Sequence, residues 1–179
     1  MLKISSWFGK SKPQVRLDAE NIYAKLMKQS RAPWFFTNIG VRDDFDGRME
    51  VLALHVGIVM QELGKRDENA QKLSQILYDV MVDDFDIALR EEGLSDTGVS
   101  RRIKPMAKFV LSRAKHYARA LSSTKKDAKL IEITGKFVGS KQSDAQAILA
   151  NYAHDFSNSL AKKSLGQLAK ADFNFPKFI

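Results

Sequence analysis

The chain contains no cysteine, and this absence excludes several common kinds of protein at once. Without thiols its 179 residues cannot form a disulfide framework, a zinc finger, an iron–sulfur cluster or a cysteine nucleophile. Proline is scarce, with four residues, and no apolar run approaches the ~20 residues that a membrane-spanning helix needs. The most apolar stretch, residues 51–60, is about half as long and includes His55 and Gly57. The composition predicts one ordinary globular domain.

Recognisable catalytic motifs are also absent. The chain has no G-x-S-x-G, no Walker loop, no G-x-G-x-x-G and no H-E-x-x-H. Its three histidines fall in three different predicted helices, which gives no support to a metal site. We therefore expect a protein that is not an enzyme and that holds no metal and no cofactor.

The N-terminus lacks the pattern of a secretory signal. It carries lysines but neither an apolar core of signal-peptide length nor a small-residue cleavage site. We expect a cytoplasmic protein, or a matrix protein if the source is eukaryotic, with peripheral attachment to the inner membrane as an alternative. Three segments are predicted: a flexible basic segment at 1–16, a helical domain at 17–172 and an aromatic tail at 173–179. The tail is expected to fold back on the domain or to grip a partner.

Apolar periodicity predicts an all-α fold of about six to seven helices. Helices are expected at 17–31, 44–63, 67–92, 99–121, 125–138 and 143–170, with a short aromatic turn or helix at 33–39. Asp44 or Asp46 is expected to cap the second of these, Asp67 to cap the third, and Gly93 to follow its end. Because helix 44–63 is apolar on nearly every side, we expect its residues 48–63 to form a buried central helix.

One carboxylate falls on an apolar helix face. On helix 67–92, Asp84 lies between Val80 and Leu77. A solvated acidic stripe on the opposite side consists of Asp79, Asp83 and Asp86, with Arg90 beside them. An unpaired carboxylate on an inward face would cost several kcal/mol, so Asp84 should have a partner. The inward-facing bases from which we expect that partner are Arg48, Arg102, Arg113 and His55.

Positive charge is concentrated at the two ends of the chain. The formal net charge is +8, but residues 41–100 hold six Lys/Arg against fourteen Asp/Glu, whereas residues 101–179 hold sixteen against five. On helix 99–121, five cations fall within about 60° of one another and form a basic stripe about 27 Å long. The stripe consists of Arg101, Lys104, Lys108, Lys115 and Arg119.

Four interpretations of the basic stripe are open. It could be a plain solvated face, follow an RNA backbone, lie on anionic lipid, or meet the acidic stripe of helix 67–92. No exposed aromatic residues alternate with the cations, which counts against single-strand RNA recognition by base stacking.

Three blocks of sequence resemble one known family. Residues 40–50 read GVRDDFDGRME and run into an apolar helix with Leu54-His55; residues 84–93 read DFDIALREEG; and Tyr117-x-Arg119 follows. In this order they resemble the ubiquinol–cytochrome c chaperone family, and we expect a bacterial member. The positions in the family's motifs are Phe45, Asp46, Gly47, Arg48, His55, Asp84, Arg90, Gly93 and Tyr117.

This resemblance implies an all-helical, non-enzymatic assembly factor for ubiquinol–cytochrome c reductase. Its implied partner is newly made cytochrome b or an assembly intermediate of the complex, with the ribosome or rRNA and an anionic membrane surface as further partners and no DNA. The residues of the first block either cap the central helix and hold its start in place, or they contact the client, which is the newly made cytochrome b. The alternative function is an RNA- or ribosome-binding module that uses the basic stripe.

Overall fold

The computed structural model describes residues 13–138 and 143–178. Within these ranges all regular secondary structure is helical, which confirms the all-α prediction. The helices are α1 (Gln14–Ser30), α2 (Trp34–Thr37), α3 (Phe45–Gly64), α4 (Glu68–Glu91), α5 (Asp96–Leu121), α6 (Lys126–Thr134), α7 (Ser143–Ala161) and α8 (Leu165–Ala169). The predicted N-terminal segment lies mostly outside the described residues, and the first helix, predicted at 17–31, spans Gln14–Ser30.

Helix α3 is the buried centre of the fold, as its all-round apolar sequence predicts. Every residue from Met49 to Val59 is buried. The Asp44 carboxylate caps the helix by accepting a hydrogen bond from the Gly47 backbone N–H at 2.8 Å. Helices α1, α4, α5 and α7 pack against α3, and α5 makes the most extensive contact with it.

A glycine permits the close approach of α3 and α5. A Cβ atom built on Gly57 would lie 2.9 Å from the Cα of Ala114, closer than real Cβ contacts come. The two backbones therefore meet where both helices carry small residues. This contact fixes the position of α5 and of the surface that it borders.

The connection between α4 and α5 is shorter than the sequence predicts. Asp67 caps α4 by accepting from the Ala70 N–H at 2.9 Å, and Gly93 ends it with a φ of +84°, where glycine is favoured. Residues 96–98, expected to form a connector, are instead the first turn of α5. This turn is helical because Ser95 caps it by accepting a hydrogen bond from the Gly98 N–H.

The predicted final helix is two helices. α7 ends at Ala161 and α8 begins at Leu165, because Ser164 and Gln167 form a reciprocal capping box that starts a new helix. Arg66 donates hydrogen bonds to the carbonyl oxygens of Leu160 at 3.0 Å and Lys163 at 2.8 Å. A side chain thus supplies donors to carbonyl groups at the end of α7 that have no partner within the helix. None of the helices in the described ranges combines the length and apolar character needed to cross a bilayer.

The aromatic tail packs back on the domain, which was one of the two expectations for it. Phe173 is 1% exposed, and the Phe178 ring stacks on Trp34 with 4.5 Å between the ring centroids. The Lys25 ammonium donates hydrogen bonds to the carbonyl oxygens of Ala171 and Phe173 and so fixes the start of the tail.

Candidate functional site

The first family block forms the start of α3, where one glycine is required by packing. A Cβ on Gly47 would lie 1.9 Å from the carbonyl oxygen of Arg42, a distance that no side chain can tolerate. The same glycine donates its N–H to Asp44. Gly47 therefore locks the loop before α3 against the first turn of the helix.

The neighbouring residues of this block face solvent. Phe45 is 58% exposed, an unusual exposure for a large ring, and Asp46 is exposed beside it. Arg48 also points outward and forms an exposed ion pair with Asp43 at 2.7 Å. Only part of the block thus caps and locks the helix, and Phe45 is free to contact another molecule.

Phe45 lies in an apolar groove between the start of α3 and the first half of α5. One hollow, of about 190 Å³, is lined by Phe45, Met49, Pro105, Met106 and Phe109, together with Asp46. The next hollow, of about 360 Å³, shares three of these residues. It is completed by Leu89, Glu92, Arg101 and Arg102.

The groove continues at its other end into a polar hollow of about 640 Å³. Phe109 and Asp46 line both the apolar and the polar hollow, so the two adjoin. Gly47 and Glu50 line the inner end, and residues 135–138 line the far side. The complete groove therefore changes along its length from apolar with a cationic rim to mixed polar.

A buried ion pair lies behind the groove. The Arg113 guanidinium on α5 donates to the Glu50 carboxylate on α3, and the two side chains are only 16% and 9% exposed. Desolvation raises the pKa of Glu50, and the hydrogen bond from Arg113 partly opposes this shift. The guanidinium also lies 5.2 Å from the centre of the Phe109 ring, so the pair supports the groove wall.

The predicted pairing of Asp84 with a base is wrong. Asp84 is partly buried, but its carboxylate accepts a hydrogen bond from the Tyr23 hydroxyl at 2.8 Å. The helix that covers this face of α4 is α1, which brings Tyr23 to Asp84, whereas its Arg16 pairs with the neighbouring Asp83. The four candidate bases lie elsewhere: Arg48 pairs with Asp43, Arg113 with Glu50, His55 is bonded within the core, and Arg102 is exposed.

His55 is a hydrogen-bonded core residue. Its Nδ1 lies 2.7 Å from the carbonyl oxygen of Val51, which can only accept, so Nδ1 carries the proton and donates it. Its Nε2 therefore accepts from the Tyr152 hydroxyl, 2.9 Å away. Complete burial lowers the pKa of His55 to about 4, so the ring is neutral at physiological pH.

The remaining motif residues, Arg90, Gly93 and Tyr117, do not line the groove. Arg90 donates to Asp86 and to Asp96, each at 2.6 Å, and so ties the end of α4 to the start of α5 beside the Gly93 turn. Both carboxylates raise the pKa of Arg90. Tyr117 is fully buried under α3, and burial raises the pKa of its hydroxyl.

All five cations of the basic stripe are exposed. Within the residues that the structure describes, none of them forms an ion pair or a side-chain hydrogen bond. The acidic stripe does not neutralise them, because Asp83 pairs with Arg16, Asp86 pairs with Arg90, and Asp79 accepts from Gln75. Arg101 of the stripe lies at the outer end of the groove, so the basic and apolar surfaces adjoin.

The sequence alone does not bring these surfaces together. Helical phase predicts the stripe and the family motif indicates Phe45, but the residues that line the apolar groove come from α3, from α5 and from the end of α4, and they share no local pattern. The only local signal for it was a phenylalanine at the solvent-facing start of an otherwise buried helix.

The fold and this surface define a class: an all-helical protein with an exposed apolar groove and a basic border. The model of the family described as ubiquinol–cytochrome C chaperone matches residues 37–175, and the chain belongs to this family. A crystal structure of the Cbp3 homolog from Brucella abortus has the same fold, with a TM-score of 0.77. The two chains are 23% identical, over 92% of this chain and 91% of the other. No curated protein matches the sequence.

Proposed function

We propose that this protein is a non-enzymatic chaperone that binds newly made cytochrome b while ubiquinol–cytochrome c reductase is assembled. Its membership of the chaperone family supports the assembly role. The observation that carries the binding role is the apolar groove with Phe45, 58% exposed, at its centre.

The lining of the groove suits an apolar helix. Phe45 and Phe109 provide large contact areas, and the flexible side chains of Met49 and Met106 can adapt to an irregular partner. Covering an exposed phenylalanine contributes about 1–2 kcal/mol, and an amphipathic or apolar helix can cover several groove residues together. Newly made cytochrome b presents such helices before they pack against one another.

The family block divides its roles in this proposal. Asp44, Gly47 and the Glu50–Arg113 pair hold the groove wall in place, and Phe45 contacts the client. No residue is assigned a catalytic role, and no metal or cofactor takes part. The protein acts in the bacterial cytoplasm, or in the mitochondrial matrix of a eukaryotic source, next to the inner membrane where its client is inserted.

Site-specific photocrosslinking in cells tests the contact directly. We expect a photoreactive phenylalanine at position 45 to capture cytochrome b during its synthesis. Ile131 is a matched control, since it is a large exposed apolar residue, 37% exposed, on α6 and outside the groove. Capture at position 131 but not at 45, or capture of no complex III subunit from either position, would contradict the proposal.

Complementation of a gene deletion tests the function. Cells without the gene should lose assembled complex III and its cytochrome b, and the wild-type chain should restore both. Phe45→Glu should restore less, because it places a charge in the apolar groove, whereas Ile131→Glu should behave as wild type. A normal amount of cytochrome b in the deletion strain would overturn the assembly role.

A further inference from the structure

A further hollow lies between α5 and α6, and it shares Lys136 with the polar hollow of the groove. Its volume is about 220 Å³, and it is lined by His116, Arg119, Ala120, Lys129, Glu132, Ile133 and Lys136. Three of these residues are permanent cations and one is an acid. The carboxylate of Glu132 is 72% exposed and lies 4.0 Å from the Lys136 ammonium, so it offsets little of the charge. This basic pocket therefore attracts anions.

The basic pocket is continuous with the basic stripe. Arg119 is the last residue of the stripe and also lines the pocket. From Arg101 to Arg119 the stripe extends about 27 Å along one side of α5. A line of exposed cations thus ends in a shallow, open hollow that is large enough for one anionic group.

We propose that the basic stripe and the basic pocket bind phosphate groups of anionic phospholipids, with one headgroup phosphate held in the pocket. The stripe meets the headgroups of neighbouring lipids by charge complementarity, and α5 lies along the membrane surface. This docking is independent of which client the groove binds.

Two features of the surface favour a bilayer over RNA. The headgroups of a bilayer lie in a plane, which a row of cations along one face of α5 can follow, whereas the phosphates of an RNA duplex curve away. Along the described part of α5 no aromatic ring is exposed beside the stripe: Tyr117 is buried, and the partly buried Phe109 faces the groove. The exposed Phe45 lies beside the Arg101 end only, so the stripe has no row of rings on which successive bases could stack.

Vesicle flotation with the full-length protein tests the proposal. The probes are vesicles of phosphatidylcholine alone and of phosphatidylcholine with about one-third phosphatidylglycerol. We expect flotation with the second composition only, and weaker flotation as salt is raised. Arg119→Glu with Lys129→Glu should reduce the bound fraction about tenfold, as should Lys104→Glu with Lys108→Glu, because each pair reverses two cations.

Two further variants show whether a loss of vesicle binding comes from the proposed site, and not from the change in net charge or from misfolding. Lys162→Glu with Lys170→Glu changes the net charge equally at exposed positions outside both basic surfaces, and should bind as wild type. Arg119→Lys with Lys129→Arg keeps the charges and should also bind. The replaced side chains are exposed, so circular dichroism should show every variant folded.

Three results would overturn the proposal. The first is equal flotation with both vesicle compositions, or none with either. The second is an equal loss of flotation in the Lys162→Glu with Lys170→Glu control, which would mean that net charge alone explains the binding. The third is complete displacement of the protein from vesicles by RNA at the same phosphate concentration, which would assign the surface to RNA. None of these results bears on whether cytochrome b falls in the deletion strain.

Discussion

Glu50 on α3 and Arg113 on α5 form a buried ion pair behind the apolar groove. Replacing Arg113 with Met leaves the Glu50 carboxylate buried without its cation, so we expect the free energy of unfolding to fall by about 3–5 kcal/mol. Urea denaturation at neutral pH measures this loss. The double variant Glu50→Gln with Arg113→Met removes both charges and should recover most of it.

The pH dependence of Arg113→Met gives a second test of the pair. Burial raises the folded-state pKa of Glu50, and loss of Arg113 should raise it further. A carboxyl whose folded pKa is raised contributes stability at low pH that is lost as pH rises through that pKa. The deficit of the variant should therefore shrink as the pH is lowered from neutral. A deficit that does not change with pH would mean that Glu50 is not the group left unpaired.

Gly47 and Gly64 should respond oppositely to the same substitution. Ala at position 47 would place a Cβ 1.9 Å from the Arg42 carbonyl oxygen, so we expect a loss of at least about 3 kcal/mol. Gly64, the last residue of α3, has nothing within 4 Å of such a Cβ. Ala there should change stability by no more than about 1 kcal/mol, in the stabilising direction. Thermal unfolding of the two variants makes the comparison, and equal effects would refute the close approach at Gly47.

Stability should fall in acid partly because of His55. Its folded pKa of about 4 lies below the ordinary value of 6.5, so the unfolded chain binds a proton that the folded chain does not. The contribution of His55 is present above pH 6.5 and is lost as pH falls through about 4, a change of up to about 3 kcal/mol. His55→Gln should show a shallower decline over this interval in denaturation measured at a series of pH values. If the free energy of unfolding of His55→Gln depends on pH as steeply as that of the wild type, His55 is not held neutral by the core.

The tail should contribute unequally to stability along its length. Phe173 is 1% exposed, and its replacement by Ala should cost about 3–5 kcal/mol. Phe178 is 40% exposed and stacks on Trp34, so the same change there should cost about 1–2 kcal/mol. Loss of Phe178 should also shift the emission of Trp34 to the red, since one ring face becomes hydrated. A blue shift or no shift would argue against the stacked arrangement.

Local sequence patterns predicted most of the helices correctly. The caps at Asp44 and Asp67 and the turn at Gly93 depend on residues within a few positions of one another, and they lie where the sequence placed them. The differences fall at helix ends: periodicity predicts a connector where the structure has the first turn of α5, and it does not predict the helix start at the Ser164 capping box. In both cases a side-chain cap starts a helix at a position that apolar periodicity does not mark.

Helical phase identified which side chains turn inward but not what they meet. Asp84 and Arg113 both fall on apolar faces, and Arg113 is one of the four bases predicted as the partner of Asp84. The structure pairs Asp84 with Tyr23 and Arg113 with Glu50, because α1 covers that part of α4 while α3 covers α5. Which helix covers a face depends on the packing of the whole bundle, and no local pattern specifies it.

By itself the sequence determined the all-α fold, the buried central helix, the basic stripe and the resemblance to one family. These features depend on composition, on periodicity along one helix, or on residues close together in the chain. The tertiary structure alone decided the groove at Phe45, the partner of Asp84 and the basic pocket at Arg119. Each of these combines residues from different helices, whose relative positions follow from close packing of the core.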